Sequence, residues 1–131
     1  MILRGRTVVS GKSRGVALVS SKPISFLGGV DPDTGKIIEK DHDLLGKSIK
    51  AMVLCFPNGH GSTVGSYVLY SLAKRGLAPK AIINKVADPV VVVGAIIADV
   101  PMIDQVDIEK IKSGDQIEVD AEEKVGIVRI L

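Results

Sequence analysis

The segment FPNGHGSTVGSYVLYSLAKRG, Phe56 to Gly76, joins an apolar run to an amphipathic one through Gly59, His60, Gly61, Ser62 and Thr63. A plain turn needs one or two such residues, and it does not need paired hydroxyls where a helix begins. Ser and Thr are standard N-terminal caps, and on spacing alone capping is the simpler role for Ser62 or Thr63. The same geometry also supports chemistry. The first turn of a helix carries free N–H groups and partial positive charge, so it holds a carboxylate or phosphate and stabilises an alkoxide. Glycines at 59 and 61 let a ligand approach the backbone closely. A nucleophile elbow is excluded, because His60 and Val64 stand where G-x-S-x-G has its glycines.

Other stretches with chemical spacing do not hold up. In GRTVVSGKS, five residues separate Gly5 from Gly11 where a phosphate loop has four, and LGKS at Leu45 to Ser48 has no upstream partner glycine. Asp31 and Asp33 begin like a calcium loop. Gly35 then occupies the third ligand position, so DPDTG reads as a Pro-containing turn. His42 lies between Asp41 and Asp43 and is expected as a solvated loop histidine. Cys55 has no adjacent cation to favour a thiolate and reads as a small core residue.

Composition narrows the partners. A length of 131 residues fits one domain, 1–131, with a core of its own, and an apolar fraction of 46% argues against disorder. Net charge is only +2, and Phe26, Phe56, Tyr67 and Tyr70 are the only aromatics, so no nucleic-acid partner is expected. One cysteine forms no internal disulfide and cannot alone hold zinc or an iron–sulfur cluster. Arg4 and Arg6 interrupt the opening residues, and no long apolar run of an export signal follows. Pro89 to Ala98 is too short to span a bilayer, so no membrane association and a cytoplasmic location are expected.

The elements that must position the Gly–Ser segment follow from periodicity. ILRGRTVVSG and GVALVSS read as two strands joined by the turn GKSR. FLGGVDPDTGKIIEKDHDLLGKS, with four glycines, reads as a long ordered loop. IKAMVLCF is near-continuously apolar, the pattern of a strand buried on both faces. From Ser62 the period becomes helical: Val64, Val68 and Leu72 form a stripe with Gly65 and Leu69 beside it. Lys74 and Arg75 suit the last turn, and Gly76 the C-terminal glycine. KAIINK is a further strand. In ADPVVVVGAIIADVP the valines favour a strand, but Asp88-Pro89 is a cap followed by a first-turn proline, so Pro89 to Pro101 is read as helix. Met102-Ile103 is a core strand, DIEKIKSGD one or two helical turns ended by Gly114, and QIEVD, AEEK and VGIVRIL a terminal hairpin. Strands and helices mixed without strict alternation predict an α+β or β/β/α domain.

Taken in order, SFLGGVDPDTGKI, DHDLLGKSI, VLCFPNGHGSTVGSYVLYSL, ADPVVVVGAIIADVP and IKSGDQIEVD resemble the small, swivelling domain of the aconitase X family from about Ser10 onward. The resemblance implies a swivelling β/β/α fold like that of the aconitase swivel domain. It also implies a partner, a large subunit that carries a 4Fe–4S cluster and most of the substrate site. The activity implied is a hydro-lyase reaction on a phosphorylated hydroxy acid: dehydration of (R)-5-phosphomevalonate to trans-anhydromevalonate 5-phosphate in the archaeal mevalonate route to isoprenoids. The family's catalytic serine, a proton acceptor, maps onto Ser62, with Gly61 and Thr63 beside it as substrate-binding positions. Gly28 and Gly29 are a second substrate-facing candidate. Relatives often carry arginine where this chain has His60. Two alternatives stay open at this level: the same chemistry on another hydroxy acid such as a hydroxyproline, and a non-enzymatic module that holds an anion.

Overall fold

The computed structural model describes residues 1–131. Its elements in chain order are β1 (Ile2–Val9), β2 (Gly11–Val19), α1 (Phe26–Gly29), β3 (Val53–Phe56), α2 (Gly65–Lys74), β4 (Ala81–Asn84), α3 (Pro89–Ala98), β5 (Met102–Asp104), a 3-10 turn (Ile108–Lys110), β6 (Gln116–Ala121) and β7 (Val125–Ile130). The strands close into a barrel in the order β1-β5-β4-β3-β2-β6-β7.

The wholly apolar β3 shows how the barrel is filled. Side chains alternate along a strand. Leu54 and Phe56 therefore join a core beneath the helices, while Val53 and Cys55 join Leu3, Ile83, Ile103, Val119 and Val128 inside the barrel. Ile82 and Met102 repeat the pattern on the next two strands. Both faces are buried, so no polar alternation survives in the sequence.

β2, β3, β4 and β5 run parallel as neighbours, and the remaining pairs are antiparallel. Parallel neighbours need crossovers. α2 supplies the crossover from β3 to β4, and α3 the one from β4 to β5. The two helices pack on each other, tied by the Ser66 hydroxyl, which donates to the Val90 carbonyl at 2.7 Å. The chain segments leaving β2, β3 and β4 accordingly emerge at one rim of the barrel. Carboxyl ends of parallel strands are where loops of such sheets collect ligands. This arrangement is the mixed β/β/α fold the sequence predicted.

Several local expectations need correction. GKSR is not a turn: Gly11 to Arg14 already lie in β2 and pair with β6, and β1 pairs with β5 and β7 rather than with β2. Barrel closure, a non-local event, separates the two strands. α2 begins at Gly65 rather than Ser62, and its buried face is Gly65, Ser66, Leu69 and Leu72, with Val64 left exposed. The helix is rotated because Gly94 of α3 approaches it so closely that a Cβ there would lie 3.0 Å from Leu69 and 3.3 Å from the backbone at Ser66, a contact that favours small residues. DIEKIKSGD holds one helical turn, of the 3-10 type, within the one or two expected. The readings of Lys74 in the last turn, Gly76 beyond it at φ 71°, and Asp88-Pro89 opening a helix all agree with the structure.

Candidate functional site

The loop between β3 and α2 is held from two sides before it reaches Ser62. Asn58 and His60 exchange backbone hydrogen bonds with Ile24, which follows β2: the Ile24 N–H donates to the Asn58 carbonyl, and the His60 N–H to the Ile24 carbonyl, both at 3.2 Å. Gly59, buried between them, lies so near Val91 in the first turn of α3 that a Cβ would collide with it. Gly61 adopts φ 95°, and a Cβ there would strike the Ser25 hydroxyl. Both glycines are therefore required by close approach, and Gly61 also by its backbone conformation.

Ser62 itself is exposed at the rim. Its Oγ accepts the Val64 N–H at 3.2 Å, and its carbonyl accepts the Gly65 N–H at 2.9 Å. The Thr63 carbonyl accepts the Ser66 N–H at 3.2 Å. The amides of Gly61, Ser62 and Thr63 donate to no protein atom. Three consecutive N–H groups thus stand free just ahead of a ten-residue helix whose own N-cap, Val64, offers no side-chain acceptor. Ser62 thus makes a cap-type bond to the Val64 amide, as expected of it, and the tight turn it opens leaves these three donors to a ligand or to solvent.

The second candidate loop comes to the same place. Leu27 N and Phe26 Cβ lie 3.5 and 3.6 Å from where a Gly65 Cβ would be, so α1 packs on the start of α2. α1 is a broken turn: Leu27 has ψ 116° and Gly28 φ 84°. Gly28 is open, with no atom within 4 Å of a would-be Cβ. Gly29 is buried, with its carbonyl accepting the Ile38 N–H at 2.9 Å. Glu39, which the sequence did not single out, sits between the two loops. Its Oε1 is 3.5 Å from Ser25 N and 3.9 Å from His60 Nε2. Residues 25, 39 and 60 come from three separate stretches, and no local pattern marks them as neighbours.

His42 is not solvated. Its ring is buried, Nδ1 accepts the Leu44 N–H at 3.1 Å, and Nε2 lies 3.1 Å from the Pro23 carbonyl. With Asp43 Oδ1 also 3.1 Å from Nδ1, these contacts make the ring a buried pin of the long loop. Beside it, burial works to raise the Asp43 carboxyl. The Ser20 hydroxyl at 2.6 Å and the Ser21 N–H at 2.9 Å outweigh that effect and hold it below the ordinary carboxylate value.

Nothing in this chain suits an iron–sulfur cluster. Cys55 is buried inside the barrel, burial pushes its thiol up to about 12, and no three His, Cys, Asp or Glu side chains group to hold a metal ion. No helix is long and apolar enough to cross a membrane.

Comparison with known proteins matches this arrangement to a family. A family model described as the aconitase X swivel domain matches residues 2–130. A phosphomevalonate dehydratase small subunit from Thermococcus sibiricus is 56% identical over 122 residues, 93% of this chain and 94% of the relative. One from Methanocaldococcus jannaschii is 53% identical over 131 residues, covering 100% and 98%. The crystal structure of Thermococcus kodakaraensis aconitase X in its holo-form superposes with a TM-score of 0.96 at 51% identity, covering 100% of this chain and 98% of that one. A 3-isopropylmalate dehydratase from Methanocaldococcus jannaschii has a TM-score of 0.56 at 20% identity, over 92% and 71% of the two chains, a likeness of fold alone. With its barrel, its paired crossover helices and its Gly–Ser loop, the chain belongs to the aconitase X swivel-domain family.

Proposed function

We propose that the chain, a single swivelling domain, works as the small subunit of a two-subunit hydro-lyase that dehydrates (R)-5-phosphomevalonate to trans-anhydromevalonate 5-phosphate. The observation that carries this reading is identity of 53% and 56% across nearly the full length of relatives that bear the name phosphomevalonate dehydratase small subunit. The 4Fe–4S cluster belongs in this reading to the large subunit, since the side chains here do not fit one. The complex works in the cytoplasm, within the mevalonate route to isoprenoids.

Ser62 is the proton acceptor. The substrate methylene between the carboxylate and the tertiary alcohol gives its proton to Ser62 Oγ. The electron pair of that C–H bond becomes the new C=C bond as the C–O bond breaks, and the departing hydroxide takes up the proton from Ser62, leaving as water and restoring the alkoxide. A neutral serine is too weak a base for this step, so Ser62 acts as the alkoxide. The Val64 N–H that Oγ already accepts is one donor to that oxygen. The positive end of α2 lies close behind it. The free amides of Gly61 and Thr63 suit an anionic oxygen of the substrate, and the open Gly28, with Gly29 beneath Glu39, shapes the neighbouring wall. Because Ser62 is exposed in the isolated chain, water must be shut out by closure of the large subunit over this rim.

The test is anoxic reconstitution with the cognate large subunit, with phosphomevalonate and a hydroxyproline as competing substrates. Each chain alone is expected to be inactive and the mixture to dehydrate phosphomevalonate. Turnover of the hydroxyproline alone would overturn the substrate, and no lyase activity from a stable complex would overturn the reading.

A further inference from the structure

The helix α3, PVVVVGAIIA, contains no polar side chain, yet only part of it is covered. Val91, Gly94 and Ala95 face the core and α2, while Val93, Ile96 and Ile97 are 49%, 57% and 42% exposed. A helix on a protein surface ordinarily turns a polar face outward, and one that is apolar all round is buried against something. Tyr67 of α2, 69% exposed, extends the patch. Between the two helices runs a groove of about 420 Å³ lined by Thr63, Tyr67, Pro89, Val90, Val93 and Ile97. No charged residue lies along it. Charge depletion with an exposed tyrosine is the composition of an interface core rather than of a solvated surface.

We infer that this α2–α3 face is where the large subunit docks, with an apolar segment of that subunit seated in the groove and running to the edge of the Ser62 loop. The inference rests on the two-subunit reading above. Position selects the occupant. Thr63 lines the groove and directly follows Ser62 in the chain, so a chain that shuts water away from Ser62 meets this face at once. A second copy of this chain seated there would instead cover the rim and bar the large subunit from it. Contact along the groove would also bear on the first turn of α2, since Ser66 links that turn to Val90. Docking and the placement of the free amides are in that way coupled.

The test measures affinity of the complete chain for the cognate large subunit, by calorimetric titration under anoxic conditions, beside the melting temperature of each free variant. Ile97→Glu is expected to weaken binding at least about tenfold without lowering the melting temperature, as loss of an interface anchor does. Tyr67→Ala, at a more exposed position, should weaken it less and provides a second reading if Ile97→Glu unfolds. Ser62→Ala should bind as tightly as the unaltered chain. Unaltered affinity in both Tyr67→Ala and Ile97→Glu overturns the surface, as does a free chain that dimerises through this face and loses the dimer, but no large-subunit affinity, on Ile97→Glu. A complex that forms, is weakened by Ile97→Glu, and has no lyase activity would leave the surface standing and sink the dehydratase reading instead.

Discussion

Two helices begin side by side at the same rim and are finished in opposite ways. α3 opens with Asp88, whose Oδ1 accepts the N–H groups of Val90 and Val91 at 2.9 and 3.4 Å, and Pro89 has no N–H to satisfy. Its first turn is closed by its own sequence. α2 opens with Val64, and the three amides before it point to no protein acceptor. A protein that can place Asp-Pro at one helix start can place it at the other. Where one helix start keeps a run of unpaired amides beside a neighbour whose first turn is closed, function is the usual reason for such a local departure. The same rim thus has a closed corner and one that is reactive in the function proposed above, held together where Gly59 approaches Val91.

The contrast can be broken most severely at Ser62. Ser62→Ala should lower turnover of the reconstituted enzyme by roughly 10²–10⁴-fold, the range for loss of a positioned proton acceptor. The melting temperature of the free chain should hardly move, because the side chain is exposed. Gly61→Ala should cost both activity and stability. An alanine at φ 95° carries about 1–2 kcal/mol of strain before its Cβ meets Ser25, which chemical denaturation of the free chain would read. Asp88→Ala should reverse the pattern, costing about 1 kcal/mol of stability through loss of the cap and leaving turnover at saturating partner largely intact.

The comparison is sharpened by making the open helix resemble the closed one. Val64→Asp should raise stability by a few tenths of a kcal/mol to about 1 kcal/mol, since a carboxylate at this end suits the helix dipole. It should lower turnover, because the new charge opposes an alkoxide and an anionic substrate. Denaturant midpoints and steady-state rates on the same preparations separate the two effects. The smallest effect lies away from the helices. The Asp43 carboxyl is held below its ordinary value of 3.8 in the folded chain by Ser20 and Ser21, so its contribution to stability is present above that value. That contribution is lost as pH falls through the depressed folded value. Asp43→Asn should flatten the acid limb of the stability profile and leave the neutral region little altered in slope.

Residue by residue, what could be read early was what is encoded within a few neighbours. Asp88-Pro89, Lys74 with Gly76, the hairpin of β6 and β7, and the apolar β3 follow from caps, dipoles, turn glycines and burial, all short-range preferences. The Gly–Ser loop was legible as the turn into a helix for the same reason, since two hydroxyls between glycines have few other local uses. What the sequence left undecided was set by contacts between distant segments. The partition of β1 and β2 to separate neighbours came from barrel closure, and the rotation of α2 from the approach of Gly94. The burial of His42 came from a carbonyl nineteen positions away, and Glu39 entered the site through residues of two other loops. Local chemistry chose the pieces; register, crowding and the pairing of remote polar groups depend on where the chain returns to itself, and that is settled only when the barrel closes.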